Sequence, residues 1–303
     1  MNVLSLFDGM SCGQIALSKL GIKVDKYFAS EIKEDAIKVT QDNFPNTIQL
    51  GNIEQLEGKQ LPKIDLLMGG SPCQNLSIAM AIEHRNGLKG DKSSLFYEYY
   101  RLLHEVKPKY FLLENVGSMR KDDRDAITEL LKVEPIKINS KLVSAQLRNR
   151  LYWTNIPNIE RPKDKNIKLN DILVEGWSDR EKARCLLESE SRPLTTPIKM
   201  FHRYYSTGFT TVIFKSEQHY NNCVEHYSKY FKGMSAKEID KKLGSDNIDI
   251  SVYDGVRYFN QSELEKLQTV PLGYTSSLDR NTIAGLLGDG WTVDVIVHIL
   301  KHI

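Results

Sequence analysis

Residues 3–13 read Val3-Leu4-Ser5-Leu6-Phe7-Asp8-Gly9-Met10-Ser11-Cys12-Gly13. The first five form an apolar run with no polar face, as a strand buried on both sides of a parallel sheet requires. The next six are a turn with a glycine near each end. Beyond it Ile15, Ala16 and Leu20 recur at helical spacing, and Gly21 stops the helix. The same order returns along the chain. A second strand is expected near Tyr27-Phe28-Ala29, ending at Glu31, a third at Ile64-Asp65-Leu66-Leu67-Met68 and a fourth at Tyr110-Phe111-Leu112-Leu113. Between the last two, Leu95, Phe96, Tyr99, Leu102, Leu103 and Val106 keep helical period as far as Lys107-Pro108. Strand, turn and helix in repetition predict an α/β fold, a parallel sheet with helices on both faces.

Composition excludes several classes. Of 303 residues, 41% are hydrophobic and 26% charged, which rules out a disordered, collagen-like or disulfide-scaffold chain. No run of about eighteen apolar residues occurs, so no membrane partner is expected. Met1 leads straight into the apolar run with no basic segment or cleavage site, so export is not expected either. Lys and Arg number 41 against 39 Asp and Glu, a balance that neither requires nor forbids nucleic acid. Cys12, Cys73, Cys185 and Cys223 form no C-x-x-C pair, so neither a metal site nor a disulfide framework is expected, and the compartment reads as reducing and cytoplasmic. After Pro157 the pattern changes to many charges, scattered Tyr and Phe and few apolar runs, with Lys163-Asp164-Lys165-Asn166 as an exposed connector. A smaller, less regular domain fits that stretch. Periodicity returns at Val293, Val295-Ile296-Val297 and Ile299-Leu300, a final buried strand or helix.

Four groups of residues are able to carry chemistry. Gly9 and Gly13 at a strand-to-helix junction let a ligand approach the backbone, and Glu31 ends the next strand where an acid takes ribose hydroxyls in nucleotide-binding sheets. A plain glycine turn and a surface carboxylate explain the same residues. Gly69-Gly70-Ser71-Pro72-Cys73-Gln74-Asn75 follows a buried strand, and a cysteine at a carboxyl strand end, in a turn with free N–H groups, suits a nucleophile. A buried small hydrophobe is the alternative, against which the Gly-Gly-Ser-Pro context argues. Glu114, in Glu114-Asn115-Val116, would share the sheet edge with Cys73. Gln146, Arg148 and Arg150 fall on one face if extended and suit an anionic or carbonyl-bearing ligand, or else form a solvated basic edge.

Taken in order, these motifs resemble the cytosine-C5 DNA methyltransferase family. Phe7-Asp8-Gly9, with Gly13, resembles the family's first motif, which cradles the methionine part of S-adenosylmethionine; Pro72-Cys73-Gln74 resembles the nucleophile motif and Glu114-Asn115-Val116 the glutamate motif. Gln146, Arg148 and Arg150 match its Gln-x-Arg-x-Arg signature. Arg257, Glu263, Leu267 and Gln268 resemble the ninth motif, and Gly288-Asp289-Gly290-Trp291-Thr292-Val293 the tenth. The resemblance implies a Rossmann-like S-adenosylmethionine-dependent catalytic domain of residues 1–160 plus 272–303, and an irregular target-recognition domain at 161–271. It places the cofactor against Phe7, Asp8, Gly9, Met10, Ser11, Gly13, Glu31, Ile32, Asn52, Ile53, Pro72, Leu95, Asp289, Gly290 and Trp291. Two positions depart from the family. Asn52 stands where an aspartate usually meets the adenine amino group, and Asp289 replaces an asparagine, adding negative charge that would weaken cofactor binding unless a cation compensates.

The implied chemistry is addition of the Cys73 thiolate to cytosine C6, with Glu114 holding N3 and the exocyclic amine, and Arg150, Arg148 and Gln146 around the base. The base must leave the duplex, and residues 75–94, with Ser77, His84, Arg85, Gly87, Lys89, Gly90 and Lys92, resemble the loop that would close over it. Gln74, Ser77, Arg85, Lys89, Arg192, Arg203 and Arg257 are the expected DNA contacts; Lys199, His202, Tyr204 and Tyr205 add charge and aromatics to groove-facing loops. Other readings are an RNA substrate, whose family branch carries a Cys-Phe-Thr signature not found here, and an inactive DNA-binding homologue, against which Cys73 and Glu114 both stand. The leading expectation is a cytoplasmic bacterial or phage enzyme, monomeric on double-stranded DNA, serving restriction–modification beside a cognate endonuclease or protecting phage DNA.

Overall fold

Strand β1 (Asn2–Leu6) lies inside the sheet, with every residue after Asn2 buried. In this computed structural model, which describes residues 1–72, 93–187 and 196–303, β1 is followed by α1 (Cys12–Lys19), β2 (Lys26–Ser30), α2 (Glu34–Asn43), β3 (Ile48–Gln49) and β4 (Leu66–Gly70). Then come α3 (Phe96–Val106), β5 (Tyr110–Val116), α4 (Lys121–Leu131), β6 (Ile136–Asn139) and β7 (Asn149–Thr154). Among the described residues seven strands lie in the order β3-β2-β1-β4-β5-β7-β6. β1 pairs in parallel with β2 and β4, so chain direction turns outward on either side of it, and the crevice beyond the carboxyl ends of β1 and β4 is where such sheets bind ligands.

The expected all-parallel sheet is corrected at one strand. β7 runs antiparallel to both β5 and β6. Residues 140–148 are too short for the crossover of a dozen or more residues that a parallel return needs, so the chain reverses and slots β7 between its neighbours. This has a direct consequence for chemistry. Val116, at the carboxyl end of β5, pairs with Arg150 at the start of β7. A parallel β7 would have begun at the opposite edge and carried Arg150 away from Glu114.

Alternate side chains go to opposite faces, as the period of a strand demands. Val3, Leu66, Leu112 and Tyr152 join one core cluster with α1 and the C-terminal helices, while Leu4, Leu67, Leu113 and Trp153 join another with α3 and α4. The remaining elements are α5 (Leu169–Ile172), α6 (Pro197–Thr207), α7 (Glu217–Tyr230), α8 (Ala236–Ser245), α9 (Gln261–Gln268), α10 (Arg280–Asp289) and α11 (Val293–Leu300). The closing periodic stretch is therefore a helix, and it packs along α1. Residues Arg280–Leu300 have the length and mean hydropathy, 1.5, of a membrane span, but the window is 72% buried inside the protein and is split at residues 290–292 into two helices.

The region after Pro157 is more regular than its charge suggested. Three helices, α6, α7 and α8, surround a third cluster containing Ile198, Phe201, Tyr204, Phe214, Cys223, Tyr227, Phe231 and Tyr253. Its helical period is carried by Ile198, Phe201 and Tyr204 in α6 and by Cys223 and Tyr227 in α7. Leu169, Ala183, Leu186, Leu264 and Leu267, inside the 161–271 span assigned to recognition, pack instead with the first cluster under the sheet.

Candidate active site

Glu114 lies near the carboxyl end of β5 and is 8% exposed. Arg150 Nε approaches its Oε1 at 2.7 Å, and Trp291 Nε1 donates to its Oε2 at 3.0 Å. Gly70, at the end of β4, leaves room for that arrangement. A Cβ there would stand 2.8 Å from Trp291 Nε1 and 3.0 Å from Glu114 Oε2. The next residue of β5, Asn115, is buried and donates to the Ser71 carbonyl and hydroxyl at 3.2 and 3.0 Å, tying the segment that leads to Pro72 against the same edge. Cys73, Gln74, Ser77, Arg85, Lys89 and Arg192 lie outside the described residues.

The Gln-x-Arg-x-Arg stretch divides in a way its alternation did not foretell. Only Arg150 reaches Glu114. Arg148 is 3% exposed, and its terminal nitrogens donate to the carbonyls of Leu186, Gly288 and Gly290 at 3.0, 3.0 and 2.7 Å and to Cys185 Sγ at 3.3 Å. Gln146 is fully buried and donates to Leu267 O and Gln268 Oε1 at 2.6 and 2.9 Å. Gln268 Oε1 also accepts from Thr292, whose hydroxyl meets that of Ser140. Gln146 and Arg148, expected among the catalytic residues, knit the entry to β7 onto α9 and the turn after α10.

Cys185 is a thiol no spacing pointed to. It stands 3.3 Å from an Arg148 nitrogen and 3.9 Å from Arg150 Nη2. Burial pushes its pKa up, but the two guanidiniums outweigh burial and hold it below the ordinary value.

The turn after β1 lies against Gly290, where a Cβ would stand 3.3 Å from the Met10 methyl and Cys12 Sγ. Phe7, Gly9 and Ser11 adopt left-handed backbone, with φ of 55°, 58° and 59°; this costs Phe7 and Ser11 strain that a non-glycine residue bears only where its surroundings enforce it. Glu31 fastens the turn at Gly9. Its Oε2 accepts from Gly9 N at 2.8 Å, and its Oε1 from Ile32 N and Lys33 N at 2.7 and 2.8 Å. Beside this carboxylate Ile32 stands 70% exposed. Ile53 is buried, and Pro72 and Leu95 are half-buried.

Several side chains expected on the cofactor point into the protein instead. The Asp8 carboxylate accepts from Ser11 and, at 2.8 Å, from Tyr27. Burial pushes this carboxyl up to about 6, against the lowering effect of hydrogen bonds from Ser11, Ser5 and Tyr27. Met10 is 1% exposed, and a Cβ on Gly13 would lie 2.6 Å from the Met68 methyl. Asp8, Met10, Ser11 and Gly13 shape the turn, the first three with side chains held by or packed against the protein. Asn52 caps the turn Ile53–Gln55, accepting from Glu54 N at 3.1 Å and donating to Glu54 Oε2 at 3.1 Å.

Asp289 has the compensating cation its charge called for. Lys33 Nζ lies 2.5 Å from its carboxylate, joining the segment after Glu31 to the end of α10. Lys33 sits two residues beyond Glu31, a signal the sequence offered and the motif reading passed over.

Two expected DNA contacts fall in the helical region. Arg203 is half-buried on α6, and among the described residues no hydrogen bond or ion pair of its guanidinium is found. Arg257 is engaged within the protein. Its four terminal N–H groups go to both oxygens of Glu263, at 2.8 and 2.9 Å, and to the carbonyls of Tyr258 and Glu175. Tyr204, expected on a groove-facing loop, is a buried residue of α6 whose hydroxyl donates to Asp179 at 2.6 Å.

The profile of the C-5 cytosine-specific DNA methylases matches residues 1–303. The chain belongs to that family. It is 30% identical over 206 residues to the orphan methyltransferase M.SPRI of Bacillus phage SPR, covering 67% of this chain and 46% of that protein. Type II methyltransferase M.NgoBV of Neisseria gonorrhoeae is 27% identical over 289 residues, covering 84% of this chain and 65% of its own length. This chain therefore spans about half to two thirds of these relatives. Among solved structures, a DNMT2 variant from Spodoptera frugiperda superposes with a TM-score of 0.68 at 18% identity, covering 99% of this chain and 98% of that one. A DNA modification methyltransferase encoded within an Escherichia coli prophage, described as putative, gives 0.58 at 20% identity over 100% and 98%. Both likenesses establish the α/β methyltransferase fold.

Proposed function

We propose that this chain is a DNA (cytosine-5)-methyltransferase that uses S-adenosylmethionine to modify a cytosine turned out of a specific duplex sequence, in restriction–modification or phage DNA protection. The observation that carries the reading is the Glu114 carboxylate, fixed by Arg150 on one oxygen and Trp291 on the other, at the edge where β4 leads toward Cys73.

The cleft suits the cofactor's chemistry. Three backbone donors orient the Glu31 carboxylate, which leaves an oxygen lone pair for a ribose hydroxyl, and exposed Ile32 offers an apolar face to adenine. Glu31 supplies negative charge toward the cationic ligand, while Lys33 offsets that of Asp289. When bound, S-adenosylmethionine supplies an electrophilic methyl group on a sulfonium. The protein's part is to make cytosine C5 a nucleophile. The Cys73 thiolate forms a bond to C6, the C5–C6 π pair moves into the C4–C5 bond and the C4–N3 π pair onto N3, which takes a proton from the Glu114 carboxyl while the other carboxyl oxygen accepts from the exocyclic amine. Arg150 adds positive charge beside that carboxylate. Once C5 carries its methyl group, loss of the C5 proton to a base and departure of the Cys73 thiolate restore the ring. Residues 196–256, around the third cluster, carry the recognition surface, with Arg203 available to phosphate.

The test is transfer of labelled methyl from S-adenosylmethionine to unmethylated DNA, with tRNA and Cys73→Ala alongside. Label recovered as 5-methylcytosine in DNA and abolished by Cys73→Ala is the expected result, and bisulfite sequencing then reads the target. Label in tRNA alone would replace DNA by RNA as substrate. A folded protein that labels neither would overturn the reading.

A further inference from the structure

Trp291 stands with the cofactor residues by sequence, yet its indole N–H is spent on Glu114. Indole and guanidinium are both donors without acceptor capacity, so Trp291 and Arg150 each fix one oxygen and together set the plane of the carboxylate. The backbone carrying the indole is held as firmly. The carbonyl of Gly290 accepts from Arg148 Nη2 at 2.7 Å and from Gln268 Nε2 at 3.2 Å. Arg148 and Arg150 therefore act on the same carboxylate from two sides, Arg150 directly and Arg148 through the turn that bears Trp291. The slot exists only because Gly70 has no side chain.

We propose that Trp291 is a positioning residue for Glu114, holding its carboxylate in register with the cofactor cleft. The proposal rests on the reading of Glu114 as the group that meets the base. A hydrogen-bond donor aimed at a carboxylate that must match N3 and an amine contributes through orientation, so its loss slows the chemical step and leaves ligand affinity in place.

Trp291→Phe keeps the ring and removes the N–H. The expected outcome is a fall in kcat of about tenfold, with the dissociation constant for S-adenosylhomocysteine, by calorimetry, within about twofold of wild type. An unchanged kcat, or a loss matched by a parallel loss of S-adenosylhomocysteine affinity, would overturn the proposal. Should Trp291→Phe not fold, Gly70→Ala places a methyl group between the same two atoms and must give the same split; wild-type kcat in Gly70→Ala overturns the proposal equally. A second readout needs no turnover. The three tryptophans, Trp153, Trp177 and Trp291, give separate indole N–H resonances. Glu114→Gln is expected to move that of Trp291 and leave that of Trp153, which donates to Thr128. A Trp291 resonance that stays put in Glu114→Gln refutes the contact. Absence of methyl transfer in wild type, with the resonance moving, refutes the proposed function instead.

Discussion

Replacing Arg257 with methionine separates two roles for this basic side chain, a clamp on Glu263 and a contact to phosphate. Glu263 is fully buried, and Arg257 donates to both of its oxygens at 2.8 and 2.9 Å while remaining 26% exposed. Burial pushes the Glu263 carboxyl up, but hydrogen bonds from Arg257, Asn260 and Val174 outweigh burial and hold its pKa below the ordinary range. Removing one partner of a buried pair costs about 3–5 kcal/mol. The two backbone donors to Glu263 survive and Arg257 is partly solvated, which sets the loss near the low end, about 3 kcal/mol. At roughly 2 °C per kcal/mol for a chain of this size, Arg257→Met should melt about 6 °C lower at pH 7. The sign with pH follows from the depressed carboxyl. Its stabilisation is complete above the ordinary glutamate range and vanishes as pH falls through the folded value, so wild type and variant converge in acid. Melting by circular dichroism across pH, with DNA affinity at several salt concentrations, decides the matter. A variant that melts like wild type and binds DNA with a shallower salt dependence would mean that Arg257 contacts phosphate, and the clamp reading would be lost.

Three further outcomes follow from local electrostatics. Lys33→Ala leaves the Asp289 charge uncompensated beside the cleft, so affinity for S-adenosylmethionine should fall about threefold at low salt and return in Lys33→Ala/Asp289→Asn, both by calorimetry; no change in either rejects the pairing argument. Asp8, raised to about 6, contributes stability that is complete below the unfolded carboxyl range and lost as pH rises through 6. Asp8→Asn should therefore melt above wild type at pH 7.5 and lose that advantage as pH falls toward 4; an advantage independent of pH would show that burial of the ionised carboxylate is not its cause. Iodoacetamide at pH 7.5 should label Cys185 well before Cys12 and Cys223, whose thiols burial pushes up to about 12; mass spectrometry of peptides giving the reverse order would sink the role of Arg148 and Arg150 at Cys185.

The strands of the parallel half were legible because each is an unbroken apolar run, and a strand buried on both faces allows little else. The direction of β7 was not, since it depends on the length of one link and not on the composition of the strand. Glu114 could be placed on the edge by its position after Leu113, and the structure puts it there. Gln146, Arg148 and Arg257 look in sequence like Arg150. What distinguishes them is which carbonyls and carboxylates stand within reach, and those come from residues up to 142 positions away, such as Gly290 for Arg148. In α6 and α7 the helical period was written in Phe201, Tyr204, Cys223 and Tyr227, whose mixed character hid a core.

The cleft is assembled from chain segments that are made at very different times. Lys19 reaches Asp294 across 275 positions, Lys33 reaches Asp289 across 256, and the Tyr274 hydroxyl closes on the Met10 carbonyl across 264. During synthesis α1 and the turn at residues 7–13 emerge early and wait for α10 and α11. A chain interrupted before Arg280 would lack Trp291, leave Glu114 without its indole donor and expose the apolar face that Val295, Ile296 and Ile299 normally cover. Such fragments should be insoluble, so the site is complete only once the last helices have been made and packed against the first.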